Sequence, residues 1–526
     1  MACLSACSGG GTGSLELTLT LPTEPELRPT GMTTVTVTAT APGEPPISTT
    51  SVLVDNQFAA GDLPVGEDVQ IGVVLRDVSN RIVGVGQAGQ PVDIVGDRAT
   101  QLAIPVRRPF VYASSGSALV SFDPTLDPRD ASFQGTLAGI TAPRFTVSVG
   151  GDRLAVVSDA QVQIVETATN TIAGSITVPP GARDAAAVPG THKLAIAHAT
   201  GITIADLDTR EAVTVEVGPV DRVTVGPGAD GALIAHGLIG RVAPPDLPPP
   251  MGACTGTSSL VRVSIDAPAP ATPVSLGQAV SDLAAAPDAS MLFAALPCAG
   301  QVARLTGDIE TAGVALENLS ALERASALSV QGDRVYAAGT ATATPFCDGP
   351  CDANTQVACP ATQSNTAIYA SEGARIVVQS IPFDGASPIV LEMPGRRETI
   401  IDTEDDAGQH AQVLKAMGAV PIDLVTLPGG QYLAVLVESR YYIASLVGGT
   451  IGTVLPCLDV STADWQLIDL ASSSIAQRVR TYCNVDDVGS STLFPSWDCD
   501  LPPEGERNAL LLDYLPTSVG ALFGAR

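Results

Sequence analysis

The side chains best suited to chemistry in this 526-residue chain are its four histidines, two of which occupy matching places. His198 and His236 each follow the dipeptide Ile-Ala at the end of a short apolar segment. Two imidazoles on neighbouring repeats could share a metal ion or move a substrate proton, as in a hydrolase or a metal-dependent enzyme. The alternative is two independent, hydrogen-bonded histidines at the edge of the fold. No third ligand follows from the sequence.

The densest acidic run is Asp402-Thr-Glu-Asp-Asp-Ala-Gly-Gln-His410. Asp402, Glu404 and Asp406 have the alternate spacing of a calcium loop, although the glycine falls one place late and no Glu follows at the twelfth position. Calcium is therefore the one cofactor that the residues suggest, and a solvated acidic loop is the alternative. No nucleophile elbow, phosphate-binding loop, dinucleotide fingerprint or HExxH motif occurs, so we predict no catalytic residue and no other cofactor.

Eight of the ten cysteines lie from residue 254 onward, beside glycine, proline and aspartate. They are Cys254, Cys298, Cys347, Cys351, Cys359, Cys457, Cys483 and Cys499. An even count in such contexts is typical of disulfides formed in an oxidising compartment. The alternative is a zinc site on Cys347, Cys351 and Cys359, but their spacing is not that of a zinc knuckle and no histidine lies nearby.

Composition excludes several classes of protein. The net charge is −28 and the chain has 27 basic residues against 55 acidic ones, so nucleic acid is excluded as a partner and an anionic membrane surface is disfavoured. A hydrophobic content of 45% excludes intrinsic disorder. Few aromatic residues, 51 glycines and 41 prolines predict many short strands joined by turns. No apolar run is long enough to predict a spanning helix.

Leu4-Ser5-Ala6-Cys7 resembles a bacterial lipobox, and a Gly/Ser-rich run from Ser8 to Ser14 follows it as a tether. The resemblance implies that Cys7 is lipidated, that the protein is exported and that the lipid is its only membrane attachment. Ser8 after the cysteine is similar to lipoproteins of the bacterial outer membrane or cell surface, and a periplasm-facing position is also compatible. The alternative is a cytosolic protein with two incidental cysteines.

Residues 15–107 predict a first all-β unit. Period-two segments at 15–21, 34–40 and 69–75 indicate strands with one buried face, and further strands are expected at 51–54, 82–85 and 101–106. Turns are expected at 42–46, 61–64 and 77–80. About seven short strands in such a span predict an Ig-like β-sandwich. Residues 60–77 resemble bacterial surface Ig-like modules, which implies a spacer or an adhesive module.

From residue 108 a short strand recurs at intervals near 40 residues, which is the length of a propeller blade. Its copies begin at Phe110, Leu154, Leu194, Ala232, Leu292, Val335 and Leu433. A Pro/Gly/Asp turn precedes six of the seven copies, and an apolar strand precedes each turn. The repeat predicts a seven-bladed β-propeller over residues 108–461, closed by a strand from 462–526. An eighth blade could lie around Ile368–Ile381.

Residues 143–218 resemble the degenerate YVTN-type repeats of bacterial surface propellers, and Gln161–Val178 carries the resemblance best. The YVTN tetrapeptide itself is missing. The resemblance implies an all-β propeller at a cell surface.

The longest insertions follow the second strand of three consecutive blades, so they share one rim of the ring. We predict a Cys254–Cys298 bridge between two blades and one bridge among Cys347, Cys351 and Cys359. Cys457, Cys483 and Cys499 are expected to join the C-terminal segment to the last blade. Each bridge constrains the unfolded chain by about 2–4 kcal/mol.

The sequence thus predicts a tether (1–14), an Ig-like sandwich (15–107), a propeller (108–461) and a closing segment (462–526). The expected function is a non-catalytic surface that recognises an envelope protein or a surface ligand. The alternatives are an enzyme with its site near His198 and His236, and a structural subunit of an envelope assembly.

Overall fold

The computed structural model describes the following residues: 12–23, 27–41, 47–78, 82–88, 91–96, 98–114, 119–122, 134–150, 153–166, 171–227, 232–242, 254–269, 272–286, 291–306, 314–341, 356–358, 367–369, 375–393, 401–404, 410–426, 432–447, 458–470, 474–480 and 518–520. Within these ranges the protein is built from β-strands, and no helix long and apolar enough to cross a membrane occurs.

Residues 12–107 form one unit, which we call the N-terminal module. Its strands are β1 (Thr12–Thr20), β2 (Thr34–Thr40), β3 (Ile47–Val52), β4 (Gln57–Pro64), β5 (Gly66–Arg76), β6 (Ile82–Gln87), β7 (Val92–Ile94) and β8 (Ala99–Arg107). They pair in the order β3-β2-β5-β6-β8-β1-β4, with β7 on β5, and β1 runs parallel to β8. Alternate residues of these strands, such as Leu15, Leu17 and Leu19, fill one core.

The expected turn at 61–64 is wrong, because these residues lie in β4. Gly61, Asp62 and Pro64 are tolerated there since β4 is an edge strand that pairs only with β1 among the described strands. The strand expected at 51–54 is β3, which begins earlier, at Ile47.

The rest of the described chain forms seven sheets, numbered here in chain order. Sheet 1 contains β9 (Val111–Ser114), β10 (Leu119–Phe122), β11 (Gln134–Thr136) and β39 (Ser518–Gly520). Sheet 2 contains β12 (Phe145–Val149), β13 (Arg153–Val157), β14 (Gln161–Glu166) and β15 (Thr171–Thr177). Sheet 3 contains β16 (Ala182–Ala187), β17 (Lys193–His198), β18 (Gly201–Asp206) and β19 (Glu211–Glu216). Sheet 4 contains β20 (Arg222–Pro227), β21 (Leu233–Ile239), β22 (Ser259–Ser264) and β23 (Val274–Ser275).

Sheet 5 contains β24 (Asp282–Ala285), β25 (Leu292–Leu296), β26 (Gln301–Thr306) and β27 (Ala315–Ala321). Sheet 6 contains β28 (Ala327–Gln331), β29 (Arg334–Ala341), β32 (Arg375–Pro382) and β33 (Ile389–Met393). A separate hairpin, β30 (Gln356–Ala358) and β31 (Ala367–Tyr369), is inserted between β29 and β32. Sheet 7 contains β34 (Ile401–Glu404), β35 (His410–Thr426), β36 (Tyr432–Val447), β37 (Leu458–Asp469) and β38 (Ser474–Arg480).

One strand from each of the seven sheets lines the centre of a propeller-like ring. β39, β12, β16, β20, β24, β28 and β35 are neighbours in that order, and β35 returns to lie beside β39. Sheets 2 to 6 each bury both faces against their neighbours, as in the shared core of Ala195, Ala197, Ala235 and Val261 between sheets 3 and 4. Such small side chains explain how a closely stacked ring forms with few aromatic residues.

The ring is closed by the C-terminal strand β39, which pairs with β9 through Ser518 and Ser114. The expected boundary at 461/462 is wrong in one respect, because it falls inside β37, so that β37 and β38 belong to sheet 7. The segment considered for an eighth blade is divided between β31 and β32, and β32 is the third strand of sheet 6.

The N-terminal module packs against the ring through an apolar core. Leu27, Val74 and Val85 of the module contact residues of sheets 1 and 2 that include Phe110 and Leu154. This contact is made near the turns between first and second strands, and we call that end of the ring the junction rim.

The buried Arg107, at the end of β8, donates a hydrogen bond from Nη2 to Tyr112 Oη over 2.7 Å. Burial lowers the pKa of Arg107 to about 10, and Tyr112 partly offsets that effect. The guanidinium also lies over the Phe110 ring, 5.4 Å from its centroid. The last strand of the module is therefore joined to the first strand of sheet 1 by a buried polar contact as well as by packing.

Tyr112→Phe should lower the free energy of unfolding by about 1.5–3 kcal/mol, because it removes a buried hydrogen bond to a charged group. Chemical denaturation measures this, and a double-mutant cycle with Arg107→Met isolates the pair. A loss below about 0.5 kcal/mol, or a coupling energy near zero in the cycle, would contradict the assignment.

Candidate functional site

His198 is a buried histidine whose two ring nitrogens are both hydrogen-bonded. The backbone N–H of Thr200 donates to Nδ1 over 3.3 Å, and Nε2 lies 2.9 Å from the Thr203 hydroxyl. Because Nδ1 accepts a hydrogen bond from an N–H group, the neutral ring carries its proton on Nε2 and donates it to Thr203. Burial lowers the pKa of His198. This imidazole is therefore a neutral, structurally satisfied side chain.

His236 faces a different interface from His198. His198 shares its strand face with Leu194 and Ile196, which pack against sheet 2. His236 shares its face with Leu238, which packs against sheet 5. A Cβ placed on Gly226 would lie 3.3 Å from His236 Cδ2 and 2.6 Å from Leu292 of sheet 5.

The hypothesis that the two histidines share a ligand, which the sequence left open beside two independent histidines, is therefore wrong: they point away from each other on either side of the core between sheets 3 and 4. The reason is a difference of one residue in the hairpins. Ala187 pairs with Leu194, but Pro227 pairs with Leu233 after a shorter turn. A one-residue shift moves a side chain to the opposite face.

The acidic run is only partly described. Asp402 and Glu404 lie in strand β34, paired with β35, so the backbone there is extended rather than folded into a calcium loop. Asp406 lies outside the described residues. Among the residues that the structure does describe, no three His, Cys, Asp or Glu side chains are grouped closely enough to hold a metal ion.

The predicted bridge between two blades is present. Cys254, before β22, and Cys298, after β25, have Sγ atoms 2.06 Å apart. The bond joins sheets 4 and 5 at the end of the ring opposite the junction rim, and we call that end the bridge rim. The remaining cysteine assignments lie outside the described residues: Cys7, Cys347, Cys351, Cys359, Cys457, Cys483 and Cys499.

A charged cluster that the sequence reasoning missed lies just inside the bridge rim, where the first strands of the sheets begin. Arg222, the first residue of β20, lies with Nη1 3.4 Å from Asp184 Oδ1 and with Nε 3.7 Å from Asp282 Oδ1. These three side chains are only 15–18% exposed. We call Arg222, Asp184, Asp282 and Asp423 the inner-ring cluster.

Burial lowers the pKa of Arg222, but attraction from Asp184, Asp282 and Asp423 outweighs that effect and raises it. Asp423 belongs to sheet 7, three sheets beyond Arg222, so the cluster spans the centre of the ring. Burial raises the pKa of Asp282 to about 6, against the opposing attraction of Arg222. Arg222 therefore stays charged, and the raised pKa of Asp282 lies near neutral pH.

Two of these carboxylates also bind the backbone of the next sheet. Asp184 Oδ2 accepts a hydrogen bond from the Val223 N–H over 2.9 Å, and Asp282 Oδ2 accepts one from the Leu328 N–H over 2.8 Å. Each carboxylate therefore joins the first strand of its own sheet to that of the following sheet.

Serines at the same level form further links between sheets. Ser281 donates to the Ala325 carbonyl over 2.7 Å, and Ser326 donates to the Pro421 carbonyl over 3.0 Å. The links join sheet 5 to sheet 6 and sheet 6 to sheet 7.

Three further charged residues, Arg183, Asp221 and Arg241, lie beside the cluster. Asp221 pairs with Arg183 and accepts hydrogen bonds from the backbone N–H groups of Gly240 and Arg241, both over 3.0 Å. The Arg241 side chain donates to the Ser281 carbonyl over 2.8 Å. Burial and the nearby Arg222 lower the pKa of Arg241. Three arginines thus face four aspartates, so the charges are nearly balanced, and the ion pairs and hydrogen bonds join neighbouring sheets.

A sequence signal for the cluster exists. Asp184, Arg222, Asp282 and Asp423 each precede an apolar strand that leads into a turn. The apolar strand that the sequence predicts before each turn begins one residue later and leaves the charged residue out.

No family model matches the chain, and no curated protein matches it. Among solved structures, Kuenenia stuttgartiensis hydrazine synthase aligns with 57% of this chain and 76% of its own, at 16% identity and a TM-score of 0.36. A functionally unknown protein from Desulfotomaculum acetoxidans aligns over 66% and 94%, at 11% identity and a TM-score of 0.38. The β-propeller domain of Myceliophteria thermophila Cps50 (Swd1) aligns over 63% and 95%, at 12% identity and a TM-score of 0.32.

Asp282→Asn tests the electrostatics of the cluster through pH. Because the folded pKa of Asp282 is raised to about 6, folded protein holds more protons than unfolded protein between about pH 4 and 6. The stability of the wild type relative to Asp282→Asn should therefore increase as pH falls from 7 to 4, by at most about 3 kcal/mol.

Urea denaturation at several pH values measures this difference. Asp159→Asn, at an exposed carboxylate of the same rim that pairs with Arg144, is the control for loss of one negative charge from an ion pair. A wild-type advantage that stays constant or shrinks on acidification would contradict the assignment.

Proposed function

We propose that this protein is exported and lipid-anchored, and that its bridge rim is a non-catalytic surface for recognising an envelope protein or a surface ligand. In this proposal the seven sheets are the blades of one closed propeller, and the N-terminal module is an Ig-like domain that carries the propeller. Cys7 is the lipid-bearing residue, and the bacterial outer membrane or cell surface is the location.

The observation that carries the proposal is the construction of the bridge rim. The disulfide between Cys254 and Cys298 joins the loops of two sheets, and the inner-ring cluster fixes the strand ends directly beneath them. Exposed small residues, including Thr255, Thr257 and Ala299, lie on these braced loops. Loops held in one conformation lose little conformational entropy on binding, which favours recognition.

The position of the N-terminal module supports the same assignment. The module contacts the junction rim, where Gly190 lies next to Gln70. A tether leading into β1 would therefore reach the ring from the junction rim and leave the bridge rim at the far end, facing a partner.

The chemistry near the proposed surface supports binding over catalysis. His198 is buried with both ring nitrogens hydrogen-bonded, and the aspartates of the inner-ring cluster face arginines and backbone N–H groups. These side chains therefore form their hydrogen bonds with other groups of the protein.

Thr257→Arg combined with Ala299→Arg should reduce partner capture about tenfold, because two bulky cations would occupy the bridge rim. The measurement is cross-linking in intact envelopes, followed by affinity purification and quantification of the cross-linked species. Thr209→Arg, in an exposed turn at the other end of the ring, is the matched control and should leave capture unchanged. Equal capture by the rim variant and the control would contradict the proposal.

Mass analysis of protein purified from membranes should find an acylated Cys7 as the first residue. Cys7→Ser should move the protein from the membrane fraction to the soluble fraction, since one lipid-bearing residue supplies the whole attachment. Cys254→Ser, a cysteine substitution away from the tether, is the control and should remain membrane-bound. Native protein that begins at an unmodified Met1 would contradict the anchor.

A further inference from the structure

β3 is an edge strand that turns into β4 beyond Val52, with one bridge between Val54 and Gln57, and no described strand pairs with the free edge of residues 47–52. Among the described strands it pairs only with β2, and its sequence Ile-Ser-Thr-Thr-Ser-Val contains no charge, glycine or proline. Its side chains are exposed on both faces except for the half-buried Thr49, and Val52 is 66% exposed. Exposed neutral edges of this kind pair readily with another strand.

Four other edge strands of the described sheets are protected, each in its own way. β4 contains Gly61, Asp62 and Pro64, and β19 begins and ends with a glutamate. β15 is capped by Arg210, which donates from Nη2 to the Ala173 carbonyl over 2.9 Å. β27 carries Glu317, which is paired with Arg304. β3 has none of these protecting features.

Hydroxyl groups form a ladder on the outer face of β2 and β3. Thr36 Oγ1 lies 2.8 Å from Thr50 Oγ1, and Thr38 Oγ1 lies 2.8 Å from Ser48 Oγ. An added strand with hydroxyl side chains at alternate positions would continue this ladder, and hydroxyl pairs stabilise antiparallel strands.

We propose that β3 pairs antiparallel with β3 of a second copy of this chain, forming a two-fold symmetric dimer. A two-fold axis normal to the sheet and midway between the two strands, at the level of Thr49, places Thr49 opposite Thr49 of the other copy. Ser48 then lies opposite Thr50, and the ladder runs unbroken from Thr38 of one copy to Thr36 of the other. The hydroxyl groups of one β3 strand are therefore complementary to those of the other, and no charged side chain enters the contact.

The sheet twist keeps the two propellers apart. Each ring packs against β5 and β6 of its own module. The path from β5 of one copy through β3 to β5 of the other takes five strand-to-strand steps. At a twist of roughly 20–25° per step the two sheet normals diverge by about 110°, so the propellers splay to opposite sides of the contact.

The dimer should strengthen with salt, because two chains of net charge −28 repel each other and salt screens that repulsion. Light scattering of the full chain on size exclusion should detect a species of twice the 53.4 kDa chain mass at 0.5 M NaCl, and less of it at 0.05 M NaCl. Thr50→Lys should raise the dimer dissociation constant at least about tenfold, because it introduces a charge at the pairing edge.

Thr18→Lys is the matched control. It makes the same change at an exposed position of β1, which is paired on both sides, and it should leave the dissociation constant unchanged. Thr49→Cys should form a disulfide-linked dimer on mild oxidation, and Thr18→Cys should not. A wild type that stays monomeric at 0.5 M NaCl, or a dimer that Thr50→Lys leaves intact, would overturn the proposal. These outcomes are independent of partner capture at the bridge rim.

Discussion

The structure depends on hydrogen bonds that join the first strand of one sheet to the first strand of the next. No sheet of the ring can bury both of its faces alone, so each needs a neighbour at a fixed distance. Apolar packing brings the sheets together but is not directional. The carboxylates of Asp184 and Asp282 and the hydroxyls of Ser281 and Ser326 supply that direction, because each bonds to the backbone of the following sheet.

Arg222 connects these links across the ring. It is attracted to Asp184 and Asp282 in the sheets on either side, and to Asp423 from sheet 7. A buried arginine among carboxylates is strongly destabilised if its partners are lost, so the cluster favours one arrangement of the sheets over others. The loops of the bridge rim are attached to the strand ends that this cluster holds in place, and the Cys254–Cys298 bond links two of these loops. Ring closure and the proposed recognition surface thus have the same physical origin.

Much of the architecture could be predicted from sequence. Period-two segments predicted β2 and β5, and recurring turns predicted the succession of antiparallel sheets, because both signals are local. The inner-ring cluster could not be predicted in the same way. Arg222 and Asp423 are brought together only by closure of the ring, and a charged residue at the start of a strand is usually solvated. The hypothesis that His198 and His236 share a ligand is wrong for another reason. Their hairpin turns differ by one residue, which places the two side chains on opposite faces.

Native-state hydrogen exchange of the Val223 and Leu328 amides tests most directly the claim that the inner ring holds the sheets together. Both N–H groups donate to aspartate carboxylates of the preceding sheet. If those bonds close the ring, both amides should exchange only through global unfolding, and Asp184→Asn should selectively accelerate Val223. Rapid exchange of both amides while the β17 and β21 amides remain protected would contradict the account.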